Sequence, residues 1–504
     1  MLVSPLVVGI EGKKAGQALV DRLKKINPAG ILLLARNIDS PRQVASLTRD
    51  INEAMGRSLL WTIDHEGGNV VRFSKGMTSF PSAQAIGKTG NPDLAYAVGR
   101  QMALELSALG IAVDFAPVLD LGGSSYNPGI GTRSFGEDPR QVAIFGKNFI
   151  RGLQDHHVWA CAKHFPGMGD ARLDPHVLIP QIDASRAAIL NRHVVPFLAA
   201  FKAGVKFVMT SHIRYPALDL ELATFSKKIV TGLLREKLGF RGVVISDDLS
   251  MGAVLKSGLS PANAAVKALK AGHDLLILSD PNFTLQNQVK EAVASLANDK
   301  KSAPILNQRK IHRPRMTASA SLTPSPKRDA DARPSALTAP LHSKHLASWI
   351  AGRGIRVLRP GSWDFPLDPK KNSILVLFPQ LLEIKSSFAF EEGPEGPARW
   401  LKKKLKSKGL VRFVETPVKE KQVGFLRRAV QEADQILFFC FEARRFPGQK
   451  AVLNVLNKMA ADKTAVFLMR GSADLPLIDP GLAVIDMAGD RKSQMEAALK
   501  VILK

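Results

Sequence analysis

Cysteine is nearly absent from this chain: Cys161 and Cys440 are the two in 504 residues, far apart and each inside an apolar run. A disulfide scaffold is therefore excluded, no Cys-x-x-Cys metal-ligand spacing exists, and both thiols are expected to be reduced core residues of a cytoplasmic protein. Membrane-length apolar runs are missing too. The apolar stretch 2–10 is short, lacks a basic leader and a small-residue cleavage site, and runs into Gly12-Lys13-Lys14, so a strand is expected there, with neither a membrane span nor a signal peptide. Tyrosine and tryptophan are scarce, at three and five residues. Acidic groups are also in short supply, 45 against 70 basic ones, which leaves a formal charge of +25. Such a balance raises the question of a polyanion. A nucleic-acid binder would interleave aromatics with its cations or carry a recognisable module, and no helix-turn-helix, OB-type or zinc-finger pattern is present. No nucleic-acid partner is expected. Lys402-Lys403-Lys404, Lys406 and Lys408 read as a solvated basic helix face, with attraction to an anionic substrate pool or an acidic surface as the second reading.

What the chain does have, in its first part, is a recurrence of short apolar runs separated by helix-like amphipathic stretches. The runs are 6–10, 31–34, 59–63, 111–115, 158–162, 205–209, 242–245 and 274–278. Their hydrophobicity is continuous, as in parallel strands buried on both faces, and intervening segments such as 41–55 and 185–203 are long enough for a crossover helix. Eight such units predict an α/β fold, a closed (β/α)8 barrel of the TIM type. An open doubly wound sheet would gather polar groups at one switch point. Here they recur around a ring: Arg36-Asn37, Asp64-His65-Glu66-Gly67-Gly68, Asp120, Lys163-His164, Ser211-His212 and Asp247-Asp248 each follow an apolar run.

A 504-residue chain with 45% hydrophobic content can bury more than one core. The catalytic barrel is expected over 1–298. Residues 299–342 turn to Pro, Ser, Ala, Thr and basic residues, the composition of a linker. Over 343–504 the runs 374–378, 435–441 and 465–469 read as buried strands and 451–461 as a helix, which predicts a smaller three-layer α/β domain.

The densest chemistry lies in Lys163-His164-Phe165-Pro166-Gly167-Met168-Gly169-Asp170, followed by Asp174-Pro175-His176. Glycines let the backbone turn, Pro166 stops a ladder, and charged groups beside a buried strand point to handling of a polar ligand. Ser246-Asp247-Asp248 places two carboxylates at the end of another apolar strand. Taken alone, either cluster is equally a polar turn with a helix N-cap.

Together with Ile63-Asp64-x-Glu66-Gly67-Gly68-x-Val70-x-Arg72, Asn127-Pro128-x-Ile130-Gly131-x-Arg133-Ser134-Phe135-Gly136 and Leu249-x-Met251, these residues resemble glycoside hydrolase family 3, in its bacterial β-N-acetylglucosaminidase branch. The resemblance covers residues 1 to about 300 and, loosely, an α/β sandwich beyond. It implies a retaining exo-β-N-acetylglucosaminidase that releases terminal N-acetylglucosamine from muropeptide fragments in cell-wall recycling. It assigns the nucleophile to Asp247 and a proton shuttle to His176, paired with Asp174. Asp64, Arg133, Lys163 and His164 match the sugar ligands, and no metal or cofactor is implied. An imidazole titrates near neutrality, and a carboxylate on one ring nitrogen fixes its tautomer, so the dyad is chemically sensible. Charged groups on vicinal hydroxyls make strong hydrogen bonds.

Arg72, Glu66 and Asp120 are read as rim ion-pair members, and Asp248 as a supporting group or N-cap, since the strand pleat points it away from Asp247. Arg36 and His212 are equally structural or pocket-lining. Met168, Pro175 and His65 stand where the family usually has His, Ser and Gln; Pro175 stiffens the loop that carries His176. Three other readings stand beside the main one. They are a phosphorylase that uses the histidine because it does not repel phosphate, a β-glucosidase of the same family, and a weakly catalytic basic cell-wall-binding protein. The number of subunits leaves no trace in the sequence.

Overall fold

The computed structural model describes residues 3–73, 76–122, 127, 129–171, 180–298, 340–362, 372–384, 396–406 and 410–502. In the first part run the strands β1 (Ser4–Gly9), β2 (Pro28–Leu33), β3 (Leu60–Ile63), β4 (Val113–Asp114), β5 (Trp159–Phe165) and β6 (Phe207–Thr210). A small hairpin of β7 (Arg214–Tyr215) and β8 (Asp219–Leu222) follows, then β9 (Val243–Asp248) and β10 (Leu275–Leu278). All but the hairpin pair in parallel, in the closed order β1-β10-β9-β6-β5-β4-β3-β2. The fold is therefore the (β/α)8 barrel that the apolar runs imply.

Continuous hydrophobicity has the expected physical cause. Val7, Leu32, Phe115, Cys161, Met209, Ile245 and Ile277 fill the barrel interior, while their strand neighbours Val8, Leu33, Ala160, Val208, Val244 and Leu276 meet the surrounding helices. A typical crossover shows how the chain stops and starts. The helix Pro41–Met55 begins with Ser40, whose Oγ accepts from the Gln43 N–H at 3.2 Å, has proline in its first turn, and ends at Gly56 in the left-handed region with φ 64°.

Two departures from the sequence expectation matter. First, β5 runs on to Phe165, so Lys163 and His164 belong to the strand itself and the turn begins at Pro166. Strand geometry there is carried by pairing with β6 as far as Phe165 and Thr210, which polar composition alone does not reveal. Second, the β6–β9 connection carries the extra hairpin, whose polar sequence gave no apolar run. Arg214 in it exchanges backbone hydrogen bonds with Pro180 (3.0 Å) and Ile182 (3.0 Å).

The second sheet has six strands in the order β11-β16-β15-β14-β12-β13. They are β11 (Arg356–Arg359), β12 (Ile374–Pro379), β13 (Val411–Thr416), β14 (Gln435–Cys440), β15 (Thr464–Leu468) and β16 (Ala483–Asp486). β11 is antiparallel to β16 and the others are parallel. Alternate residues serve two separate cores: Val376, Phe378, Leu437 and Phe467 face one helical layer, and Leu375, Leu377, Phe438 and Val466 the other. Three layers result. β11 and β13 escaped sequence detection because they are edge strands whose exposed positions interrupt the apolar run, whereas β16 is a short buried strand of four residues.

The two bodies meet along the carboxyl ends of both sets of strands. Lys88, at the end of the helix Ala83–Lys88, pairs with the buried Asp486 at the end of β16, and Arg356 of β11 donates to the Lys88 carbonyl at 2.5 Å. Ser82 donates to the Ala488 carbonyl, and Arg491 Nε donates to the carbonyl of Gly68.

Candidate active site

The site is built at the carboxyl end of the barrel, and its centre is a network of charges. Lys163, two residues beyond Cys161 on β5, points inward like it, and its ammonium lies 2.8 Å from Asp64 Oδ1 and 2.6 Å from Glu66 Oε1. Arg72 reaches the other Asp64 oxygen at 3.1 Å. Arg133 grips Glu66 with two parallel bonds of 2.8 Å each, and its remaining amine donates to the Gly129 carbonyl at 2.8 Å. Three cations thus hold two carboxylates, and Lys163 is only 2% exposed.

Burial alone would raise both carboxyls. Lys163 and Arg72 more than reverse it for Asp64, and Arg133 and Lys163 bring Glu66 to about 2. Burial would in turn lower the two cations, and the same carboxylates hold them above their ordinary values. The arrangement is a charge-locked platform whose outer lone pairs and N–H groups can meet hydroxyls. Asp64 keeps 19% of its side chain exposed.

The loop after β3 makes this possible through its glycines. Glu66 and Val70 are joined by a 2.8 Å backbone bond, and Gly68, at φ 53°, lies so close to the next segment that a Cβ would sit 2.6 Å from Ser82 Cα. Any side chain there would push the loop, and Glu66 with it, off the platform.

Beside the platform, the fully buried Asp120 accepts from His164 Nδ1 at 2.6 Å, from the His164 N–H at 3.2 Å and from the Met168 N–H at 2.7 Å. A carboxylate on Nδ1 puts the proton there and leaves Nε2 for a ligand. Asn127 donates to the Met168 carbonyl at 2.6 Å, so this turn is fixed through the backbone of Met168.

Across the barrel, Asp247 stands near the end of β9, close enough to the interior Cys161 for its charge to push that thiol upward, although the pairing of β9 with β10 is irregular at this point. Its Oδ1 accepts the Asp248 N–H at 2.8 Å, and among the described residues no cation pairs with it. Asp248 turns to the end of β10. It accepts from the Ser250 N–H (3.1 Å) and Oγ (2.6 Å), from the Ser279 N–H (3.1 Å) and from Ser279 Oγ, tying β9 to the end of β10.

Asp64, Arg133, Lys163 and His164 therefore stand at one end of the barrel with Asp247, while Asp174 and His176 lie outside the described residues. Arg36 and His212 are held as structural staples. Arg36 donates to the carbonyls of Ile10 (3.0 Å) and Ser279 (2.6 Å), and the His212 ring bonds Thr224 Oγ1 (2.9 Å) and the Asp248 carbonyl (3.0 Å).

The Glycosyl hydrolase family 3 N terminal domain matches residues 3–311. The chain belongs to glycoside hydrolase family 3. It is accordingly a glycoside hydrolase, and its relatives narrow the comparison. A β-hexosaminidase of Chromobacterium violaceum is 37% identical over 299 residues, 58% of this chain and 81% of its own length. Another, from Nitrosomonas eutropha, is 37% identical over 291 residues, covering 56% and 82%. The solved structure of a family 3 β-N-acetylglucosaminidase from Paenibacillus sp. str. FPU-7 superimposes over 100% of this chain and 96% of that one, with 27% identity and a TM-score of 0.86. Native NagZ from Neisseria gonorrhoeae covers 60% of this chain and 96% of its own, with 28% identity and a TM-score of 0.53.

The family motifs identified the platform but not all that supports it. Sequence reasoning missed Asp114, which is fully buried, accepts the His65 N–H at 2.9 Å and is pushed well above the usual carboxylate range by burial. It also missed Asn69 and the residues of the second domain at the rim, for which no local signal exists.

Proposed function

We propose that this chain is a retaining exo-β-N-acetylglucosaminidase, with muropeptide fragments in the cytoplasm as its substrate. The observation that carries the reading is the contrast among the carboxylates. Asp64 and Glu66 are locked by cations, whereas Asp247, at a strand end beside the barrel interior, meets no cation among the described residues. A carboxylate free of a counter-cation keeps its lone pair for attack on an anomeric carbon.

In the first step an Asp247 oxygen bonds to C1 as the glycosidic C1–O bond breaks and His176, oriented by Asp174, protonates the departing oxygen. In the second, His176 takes a proton from water, whose oxygen attacks C1 and frees Asp247. Asp64, Lys163, Arg133 and His164 Nε2 bind the sugar hydroxyls. The β-hexosaminidase relatives and the Paenibacillus β-N-acetylglucosaminidase support the choice of an N-acetylated sugar.

Release of nitrophenol from the β-N-acetylglucosaminide and the β-glucoside tests this. The wild type should hydrolyse the first and not the second, and in phosphate buffer should yield the free sugar and no sugar 1-phosphate. Asp247→Ala should lower turnover by about 10³-fold or more. Undiminished hydrolysis by that variant would remove the assigned nucleophile.

A further inference from the structure

The loop after β3 is held from two sides, and one of them is not the barrel. With its amide oriented by its neighbours, Asn69 donates to Asp490 Oδ1 at 2.7 Å and accepts from Thr132 Oγ1 at 2.9 Å and from Arg470. Thr132 lies in the loop after β4, directly before Arg133. Asp490 and Arg470 come from the second domain, following β16 and β15. Next to Asn69, Arg491 of the same domain donates to the carbonyl of Gly68. All of these groups are buried: Asn69 is 5% exposed, Asp490 5%, Arg491 1% and Thr132 0%.

We infer that Asn69 is a positioning residue through which the second domain sets the geometry of the sugar platform. It joins the loop after β3 to Thr132, sixty-three positions further along the barrel, and to Arg470 and Asp490 of the second domain. Three positions before it is Glu66, one position after Thr132 is Arg133, and these two residues make the bidentate pair of the platform.

A ligand that needs the clamped arrangement of these loops binds more weakly by the fraction of time in which they are open. Asp490 and Arg470 act on that fraction. The second domain is itself firm at this point: Arg470 Nε lies 3.5 Å from Glu442 Oε1 and its guanidinium covers the Phe441 ring at 5.6 Å. The clamp is therefore a rigid surface pressed on two loops, and its effect falls on substrate binding.

This inference rests on the proposed sugar site, so the test separates the two. KM and kcat for the nitrophenyl β-N-acetylglucosaminide are measured for wild type, Asp490→Ala, Asp490→Asn and Lys88→Ala, each with its Tm. Asp490→Ala should raise KM about tenfold, the equivalent of one buried hydrogen bond, with kcat within about threefold. Asp490→Asn keeps an acceptor for Asn69 and should restore most of the affinity.

Lys88→Ala cuts a domain contact that does not touch Asn69, and should lower Tm while leaving KM in place. If Asp490→Ala does not fold, Thr132→Val, which removes the hydroxyl on the other side of Asn69, should raise KM in its stead. An unmoved KM in the folded variants, or an equal rise in Lys88→Ala, overturns the inference. Turnover that survives Asp247→Ala would instead sink the site reading on which it stands.

Discussion

A single histidine beside the platform makes the electrostatics testable. His65 is pushed down to about 3, first by burial and then by the guanidiniums of Arg491 and Arg72. Its ring Nδ1 accepts the Arg72 N–H at 3.4 Å, a role open only to the neutral form. The unfolded chain protonates this histidine near pH 6.5 and the folded chain only near 3, so on acidification the unfolded state takes up the proton first. Stability is therefore lost as pH falls from about 6.5 towards 3. His65→Gln should flatten the decline of Tm between about pH 7 and pH 4; an unchanged slope would show that other groups govern it. The Glu66 carboxyl acts in a lower window. Held at about 2, it contributes stability above its unfolded value near 4 that is lost as pH falls through 2.

At the scale of the element, the end of β9 shows how neighbouring carboxylates receive opposite tasks. Asp247 acts on the barrel interior at Cys161, whereas Asp248 turns to the end of β10 and is saturated by Ser250 and Ser279. Asp248→Ala leaves those donors without their acceptor, at a cost of about 1–3 kcal/mol, and lets the strand end drift. We expect a lower Tm, together with a fall in kcat that exceeds the change in KM, because the proposed nucleophile and not the proposed sugar-binding groups is displaced. Steady-state kinetics on the N-acetylglucosaminide check it, and an unaltered kcat would mean that β9 is held well enough by its backbone pairing. The pattern was readable in advance only in part. The pleat separated the two aspartates, but Ser279, the partner on β10, is thirty-one positions away and no local spacing points to it.

For the whole molecule the decisive fact is that two sheets meet at their carboxyl ends. Lys88 and Asp486 form one of the joints; Asp486 is 2% exposed and Lys88 22%. Lys88→Ala strands a buried carboxylate, and because Lys88 is itself partly wet the expected cost is about 1–3 kcal/mol, less than for a fully buried pair. Calorimetry should then show the second domain melting earlier and apart from the barrel, while a single unshifted transition would show that apolar contacts dominate the joint. The domain contact also explains why residues at 470, 490 and 491 touch a loop near residue 68. Of the basic helix face, Lys402 meets Glu415 at 3.3 Å at the surface, as a solvated basic face does.

The sequence alone determined the barrel, because strands buried on both faces must be apolar throughout and the chain repeats that demand eight times. It also determined the three-layer character of the second domain, and the residue types it singled out at 64, 133, 163 and 164 are ones the fold brings together at one end of the barrel. Only the tertiary structure decided that Lys163 and His164 lie within a strand, that Arg36 and His212 are staples, that burial pushes the Asp114 carboxyl upward, and that Asn69 meets Asp490 and Arg470 of the second domain. The physical reason is one of range. Backbone conformation and burial pattern are written in neighbours two to four positions apart, whereas ion pairs and clamps join groups a hundred or four hundred positions apart, whose meeting follows from the fold.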